Sequence, residues 1–501
     1  MSRLQPTLFF QNNRWAGDVL AAIAGSLITL SLAPFDIWPL GILSLIFLHY
    51  LLENISPARA AWRGWCFGAG LFLSGASWLY VSIHDFGGAS LVLAAFLSGA
   101  FCLLLALLHA MFGYGYVRWI RDKKFGRWLG FAAWWTIWEW VIYWLCTGFP
   151  WLYVGYAHLT TPLSGWAPIG GIYTLSFIIA LTAAGLIRLI KHETSLAQKW
   201  IPTALAAVLW LGGFVLQSMT WTQPKGEPIR VALVQANIPQ SVKWDPNFFR
   251  ETLDIYSHLS APLWRDNDIV FWPEAAVPAL YENAKPFFDV NAAAAARYNH
   301  ALISGVPYRS EHGEFFNSAI AIGNGSGIYH KQHLVPFGEY VPFEKYLRGL
   351  IEFFDLPMSD FQAGPSGQAP LQAAGLTFAP FICYEVVFGD LVRHARADVL
   401  LTLTNDAWFG HSIGPLQHLR MVQMRALEMG RPFVRATSNG VTVLIDSKGH
   451  ITARIPQFER AVLTGTVQGY EGVTPFARFG SWPILLMCGV IVLFCLTRRY
   501  Q

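Results

Sequence analysis

The sequence predicts a multi-span α-helical membrane domain joined to an α/β domain, and three observations carry that expectation. Apolar residues make up 54 % of the 501 and charged residues 13 %, with a mean hydropathy of +0.38, whereas an ordinary globular chain carries roughly 25 % charge. Apolar runs long enough to cross a bilayer as helices recur: 17–34, 37–54, 64–83, 89–116, 127–146, 172–190 and 200–219 come first, and 481–497 last. Between them, from about 225 to 475, Asp, Glu, Asn, Gln and Lys return to the density of a soluble protein.

Each element follows from local pattern. The first run resembles a signal peptide, since Ser31-Leu32-Ala33 has the small residues of a cleavage site. Pro34 follows at once, however, and the run exceeds the roughly 7–15 residues of a signal core, so it is read as a retained span. Fourteen Lys and Arg residues lie at the ends or in alternate connections: Arg3, Arg14, Arg59, Arg63, Arg118, Arg121, Lys123, Lys124, Arg127, Arg188, Lys191, Lys199, Arg498 and Arg499. The other short connections, near 35–37, 84–88 and 147–171, carry none. Positive charge is retained on the cytoplasmic side, which places both termini there and the long polar segment on the outer face, the periplasm in a diderm bacterium. The expected domains are residues 1–224 with seven spans, 225–475 outside the membrane, and 476–501 with the last helix and a tail. A formal charge of +4 and the absence of a basic block give no footprint for nucleic acid.

Within 225–475, strand-like runs occur at Ile229 to Val234, Ile269 to Trp272, Ala301 to Val306, Ser318 to Ile322, Phe378 to Cys383, Val399 to Thr404, Phe433 to Thr437, Val441 to Ile445 and Val462 to Thr466. Helical stretches, Phe248 to Leu259, Ala284 to Tyr298 and Leu416 to Met429, fall between several of them. Interleaving of this kind argues an α/β domain, and so many strands favour two packed sheets over one. No glycine-rich nucleotide loop is present, and no cofactor is expected.

Cys383 is the one cysteine of this polar segment; Cys66, Cys102, Cys146, Cys488 and Cys495 lie in or beside apolar runs. A thiol without a disulfide partner is either an inert core residue or a nucleophile. Glu274, after Phe271-Trp272-Pro273, has the apolar setting that raises a carboxylate pKa and suits it to take the thiol proton, although an acid there also suits the cap of a helix beginning at Ala275. Lys331 is either a solvated surface lysine or the fixed cation that stabilises an oxyanion. His333, His411 and His418 lack the tight spacing with carboxylates or cysteines of a metal site, and none is expected.

Glu274, Lys331 and Cys383, in that order and each in its own local motif, resemble the Glu-Lys-Cys triad of the nitrilase, or carbon–nitrogen hydrolase, superfamily. Leu334 to Pro342, Asn405 to Gly410 and Arg425 to Pro432 are similar to one membrane branch of it, the apolipoprotein N-acyltransferases, as are Thr147 to Leu152, Gln235 to Trp244 and the seven-plus-one arrangement of spans. The resemblance implies an αββα sandwich in which Cys383 is acylated, Glu274 is the base and Lys331 holds the oxyanion. It further implies that Glu339 supports Lys331, that Tyr384 and Glu385 shape the pocket, with the Tyr384 N–H as a second oxyanion donor, and that Trp244 lines the lipid entrance. Ala275, where the family often has a hydroxyl residue, and His158, in place of Gln, are small departures.

The activity so implied is transfer of a fatty acyl chain from a membrane phospholipid to the N-terminal amine of an S-diacylglyceryl-cysteine apolipoprotein, by a monomer in the bacterial inner membrane. Two other readings compete. A membrane-tethered amidase would need only one anchor, and a transporter would mark its path with buried charge, of which Glu139 is the main instance. Ile351, Phe353, Phe354, Leu356 and Met358 form an apolar cluster read as a lid over Cys383, with ordinary core as the alternative.

Overall fold

The computed structural model describes residues 9–123, 125–190, 196–342 and 360–497; the expected lid residues 351–358 lie outside them. The chain forms two compact units, one of residues 1–80, 91–219 and 478–501, the other of 81–90 and 220–477.

The first unit is helical. Arg14–Ser31 packs on Pro57–Gly75, which packs in turn on Leu91–Gly115. These helices approach closely because small residues line their seams: Gly64 and Gly68 lie against the backbone at Ala106 and His109, with no room for a Cβ. Among the described residues three helices are long and apolar enough to cross a membrane, Leu91–Ile120, Ile172–Ile190 and Lys199–Leu216, and a fourth if Pro57–Gly75 and Trp78–Phe86, bent by 53°, count as one. Several of the eight apolar runs are divided by such breaks or form shorter helices, among them Pro39–Leu51 and Trp482–Thr497. Glu139 is buried and accepts hydrogen bonds from Trp135 Nε1 (3.1 Å) and the Val154 N–H (3.2 Å), so its carboxylate is held by its own helix and the turn that follows.

The described residues of the second unit form thirteen strands: β1 (Thr222–Gln235), β2 (Ile269–Trp272), β3 (Ala301–Arg309), β4 (Phe315–Gly323), β5 (Gly325–Ser326), β6 (Ile328–His330), β7 (Leu371–Ala373), β8 (Leu376–Ile382), β9 (Val399–Thr404), β10 (Phe433–Thr437), β11 (Thr442–Ile445), β12 (Ile451–Ile455) and β13 (Ala461–Gly472). They build two sheets, ordered β13-β1-β2-β3-β4-β6 and β12-β11-β10-β9-β8-β7-β5. Each has a parallel centre, β1-β2-β3 in one and β8-β9-β10 in the other, flanked by antiparallel strands.

Side-chain alternation along the strands makes the layers. Val231, Leu233, Ile269, Phe271 and Ile303 of the first sheet meet Phe378, Ile382, Leu401, Leu403 and Val434 of the second, with the Phe271 and Phe378 rings 5.7 Å apart. The intervening residues Ala232, Val234, Val270, Trp272 and Leu302 face outward, onto Ile255 and Tyr256 of helix Phe249–Ser260 and Phe288 of helix Tyr281–Ala296. Strands buried on both faces show near-continuous apolar sequence, which is why β2, β3, β8, β9 and β10 are legible as runs. The short strands β5, β6 and β7 and the half-exposed β12 are not.

Candidate active site

The three strand ends that matter lie just after β2, β6 and β8. In β2 the apolar Ile269-Val270-Phe271-Trp272 ends at Pro273, and Glu274 follows in a turn, with the Gly305 N–H donating to the Pro273 carbonyl and the Ala276 N–H to the Gly305 carbonyl, both at 3.2 Å. Gly305 lies so close to the Glu274 Cα and the Pro273 carbonyl that a Cβ there would not fit. Ala275 takes φ +43° and the next helix begins only at Tyr281, so Glu274 caps no helix. Its carboxylate turns inward instead, 8 % exposed.

Lys331 directly follows edge strand β6, and its side chain is 1 % exposed, against the surface reading open to a lone lysine. Its Nζ lies 2.7 Å from Glu339 Oε2 and 3.8 Å from Glu274 Oε1. Asn317, on β4, ties the two acids together, its Nδ2 donating to Glu274 Oε1 (2.8 Å) and Glu339 Oε1 (2.9 Å). The Val335 N–H donates to Glu339 Oε2 (2.8 Å) and the Asn405 N–H to Glu274 Oε2 (2.8 Å), so both carboxylates are held by fixed donors.

Cys383 closes β8 and opens a 3₁₀ turn, Cys383–Val387, with φ +53°. A non-glycine residue in that left-handed region stores about 1–3 kcal/mol of strain, which surrounding contacts must hold. Buried His418 lies 3.2 Å from the Cys383 carbonyl through Nε2 and 3.2 Å from Asp406 Oδ1 through Nδ1, and Arg435 donates to Asp406 Oδ2 at 2.6 Å. Burial and the Glu274 charge push the Cys383 thiol well above its usual range, with Lys331 opposing them. The resting thiol is thus protonated, and attack requires a base. Burial also raises Glu274, with Glu339 adding to the rise against the pull of Lys331, which makes it a stronger proton acceptor than an exposed carboxylate.

Glu385 points its carboxylate into the scaffold. Oε1 accepts from the Gln332 N–H (2.6 Å), the His333 N–H (3.1 Å) and Tyr329 Oη (2.9 Å), and Oε2 from the Ile382 N–H (2.7 Å). One side chain therefore locks the segment after Lys331 to the residue before Cys383. Burial lifts its pKa to about 7 despite Lys331 and those backbone donors. Glu385→Gln is expected to place an amide N–H against one of these donors, and a conflict with a buried donor costs about 1–3 kcal/mol. Thermal unfolding should show a lower Tm together with lost activity; an unchanged Tm would remove the clamp from the account.

Tyr384 is half-buried beside Phe388, with ring centres 5.1 Å apart, and Trp244 is half-buried at the end of the short helix Gln240–Lys243. Two site residues escape sequence reasoning entirely. Asn317 sits mid-strand in Phe315-Phe316-Asn317-Ser318, where a lone buried polar residue is the one available signal. Lys243, 4 % exposed, donates to the Glu274 carbonyl oxygen at 3.2 Å, and the stretch Gln235 to Trp244 that contains it does not single it out. Among the described residues no three His, Cys, Asp or Glu side chains are arranged to hold a metal ion; His333 packs on Phe388 and His411 on Phe458.

With this geometry in place, comparison with known proteins is informative. Residues 24–185 match the apolipoprotein N-acyltransferase N-terminal domain and residues 230–475 the carbon–nitrogen hydrolase domain. Apolipoprotein N-acyltransferase of Azotobacter vinelandii is 47 % identical over 496 residues, 97 % of this chain and 96 % of that protein. The enzyme of the same name from Pseudomonas syringae pv. tomato is 47 % identical over 484 residues, 95 % of each. Among solved structures, the C. elegans NitFhit protein matches 49 % of this chain and 62 % of its own at 15 % identity and a TM-score of 0.39. Identity near one half along nearly the whole length, with both domains matched, shows that this chain belongs to the apolipoprotein N-acyltransferase family.

Proposed function

We propose that Cys383, Glu274 and Lys331 carry out acyl transfer from a membrane phospholipid to the N-terminal amine of an S-diacylglyceryl-cysteine apolipoprotein, in two half-reactions. The chain is an N-acyltransferase of lipoprotein maturation by family. The observation that supports these residues is the cluster itself: a half-buried thiol under the combined charge of Glu274, Lys331 and Glu339.

In the first half-reaction the Cys383 proton passes to Glu274, and the sulfur electron pair forms a C–S bond to the donor's ester carbonyl carbon. The carbonyl oxygen takes up the displaced pair beside the Lys331 ammonium. Collapse expels the glycerol oxygen, which takes the proton from Glu274 and leaves as lysophospholipid. In the second, the acceptor amine attacks the thioester carbon and yields its proton to Glu274. The amide forms, the C–S bond breaks, and the thiolate recovers a proton from Glu274. Glu339 fixes Lys331 throughout, and the Tyr384 N–H, in the first turn of the 3₁₀ helix, supplies a second oxyanion donor. Trp244 lines the acyl entrance. Tyr384 and Glu385 shape the pocket, Glu385 through the backbone segments it ties together.

Both substrates are lipids, so confinement to one leaflet raises their effective concentration, and exclusion of water protects the thioester. That logic favours an acyltransferase over an amidase of small soluble amides, for which one anchor would suffice. The charge pattern supports eight spans, cytoplasmic termini and a catalytic unit on the periplasmic face. We propose a monomer.

Mass spectrometry of the protein after incubation with phospholipid alone should find a fatty acyl adduct on Cys383; an adduct elsewhere, or none, would refute the thioester route. For topology, a reporter fused after Lys199 should read cytoplasmic and one after Gly226 periplasmic. The reverse at either site would overturn the orientation.

A further inference from the structure

The second lysine of the site has no part in the reaction as written. Lys243 is 4 % exposed, and its hydrogen bond goes to the Glu274 carbonyl oxygen, 3.2 Å away, rather than to a carboxylate. A buried ammonium without a carboxylate in contact is costly to fold around, and such costs concentrate where function requires them. Its surroundings indicate what it does. Glu274 is acted on by Lys331, Glu339 and Lys243, and by Cys383 once ionised. Cys383 is also under the influence of Asp406, whose own charge is paired with Arg435 and whose other oxygen contacts His418, while Glu385 lies near Lys331 and is held by backbone N–H groups. Glu274, Glu339 and Lys331 alone leave one excess negative charge in a buried site. Lys331 makes its close contact with Glu339, at 2.7 Å against 3.8 Å to Glu274.

We propose that Lys243 is the second cation of the site: added to the larger effect of Lys331, its charge beside the Glu274 backbone helps to keep Glu274 ionised as a base and so lowers the pH at which thiol activation sets in. It acts through Glu274 and is a positioning residue. The inference rests on Glu274 being the base for Cys383. Burial pushes Lys243 down to about 8, against the pull of Glu274 and Cys383, so at neutral pH it carries its charge. Because burial lowers that pKa, the lysine costs stability when charged, and an apolar replacement should leave the Tm equal or higher.

The test uses alkylation of Cys383 by iodoacetamide in the full-length, detergent-solubilised protein, followed by mass spectrometry from about pH 4 to about pH 9. This reads thiol activation without an acyl donor. Wild-type protein should show an acid limb that Glu274→Gln abolishes; equal profiles for these two would refute Glu274 as base, separately from the role of Lys243. Lys243→Met and Lys243→Gln should each move the limb up by about one pH unit, the displacement that one nearby charge produces. Lys243→Arg should leave it in place. The glutamine keeps an N–H for the Glu274 carbonyl, so a wild-type limb in Gln beside a displaced limb in Met would overturn the charge role in favour of the hydrogen bond. An unmoved limb in both overturns the proposal outright. A failure of both variants to fold would show that Lys243 holds the structure together rather than tuning the base, and would likewise overturn the proposal.

Discussion

Cys383→Ser is expected to lower acyl transfer by about 10³-fold or more, because an alcohol is a far weaker nucleophile and a carboxylate is its base. The effect on the fold should be small. Serine is slightly smaller, keeps the backbone contacts that hold φ at +53°, and leaves the His418 link to the residue 383 carbonyl intact. Product assays with phospholipid and a diacylglyceryl peptide, together with a thermal melt, read both. Substantial activity in the serine variant would remove Cys383 from the reaction.

Lys331→Met should fail in two ways at once. Loss of a cation at the oxyanion costs about 10²–10³ in rate, and removing one partner of a buried ion pair costs about 3–5 kcal/mol of stability, since Glu339 and Glu274 are left in the interior. Burial works against the ammonium, but Glu339 and Glu274 outweigh it and raise its pKa above the ordinary lysine value of 10.5. The stability carried by that charge is therefore fully present below the unfolded-state pKa and is lost only as pH rises through the folded-state one, so a melt at pH 7 reports all of it. Adding Glu339→Gln to Lys331→Met should restore much of the Tm and none of the activity. A Lys331→Met enzyme that acylates Cys383 normally would move the oxyanion role to another group.

Much of this molecule is legible before folding because two of its signals are one-dimensional. Bilayer thickness demands long apolar runs, and a strand buried on both faces demands a short one, so the helical unit and β2, β3, β8, β9 and β10 announce themselves by composition. The number of membrane-crossing helices is less legible: composition counts residues, whereas the bend after Gly75 and the shortness of Pro39–Leu51 and Trp482–Thr497 depend on how the helices turn and pack.

The candidate site divides in the same way. Glu274, Lys331 and Cys383 are visible in the sequence because each ends or flanks an apolar run with a charged or reactive group, a transition that chain order alone displays. Asn317, Lys243 and the inward-turned carboxylate of Glu385 are not. Asn317 acts by joining two acids, one 43 residues before it and one 22 after. Lys243 reaches a carbonyl 31 residues on, and Glu385 accepts from a backbone N–H 53 residues before it. What the sequence determined by itself was the class of the protein and the residues proposed to carry its chemistry. Which groups balance their charge and hold them in register was decided only by the tertiary structure, because hydrogen bonding and Coulomb attraction in a buried site depend on distance in space and leave no trace in spacing along the chain.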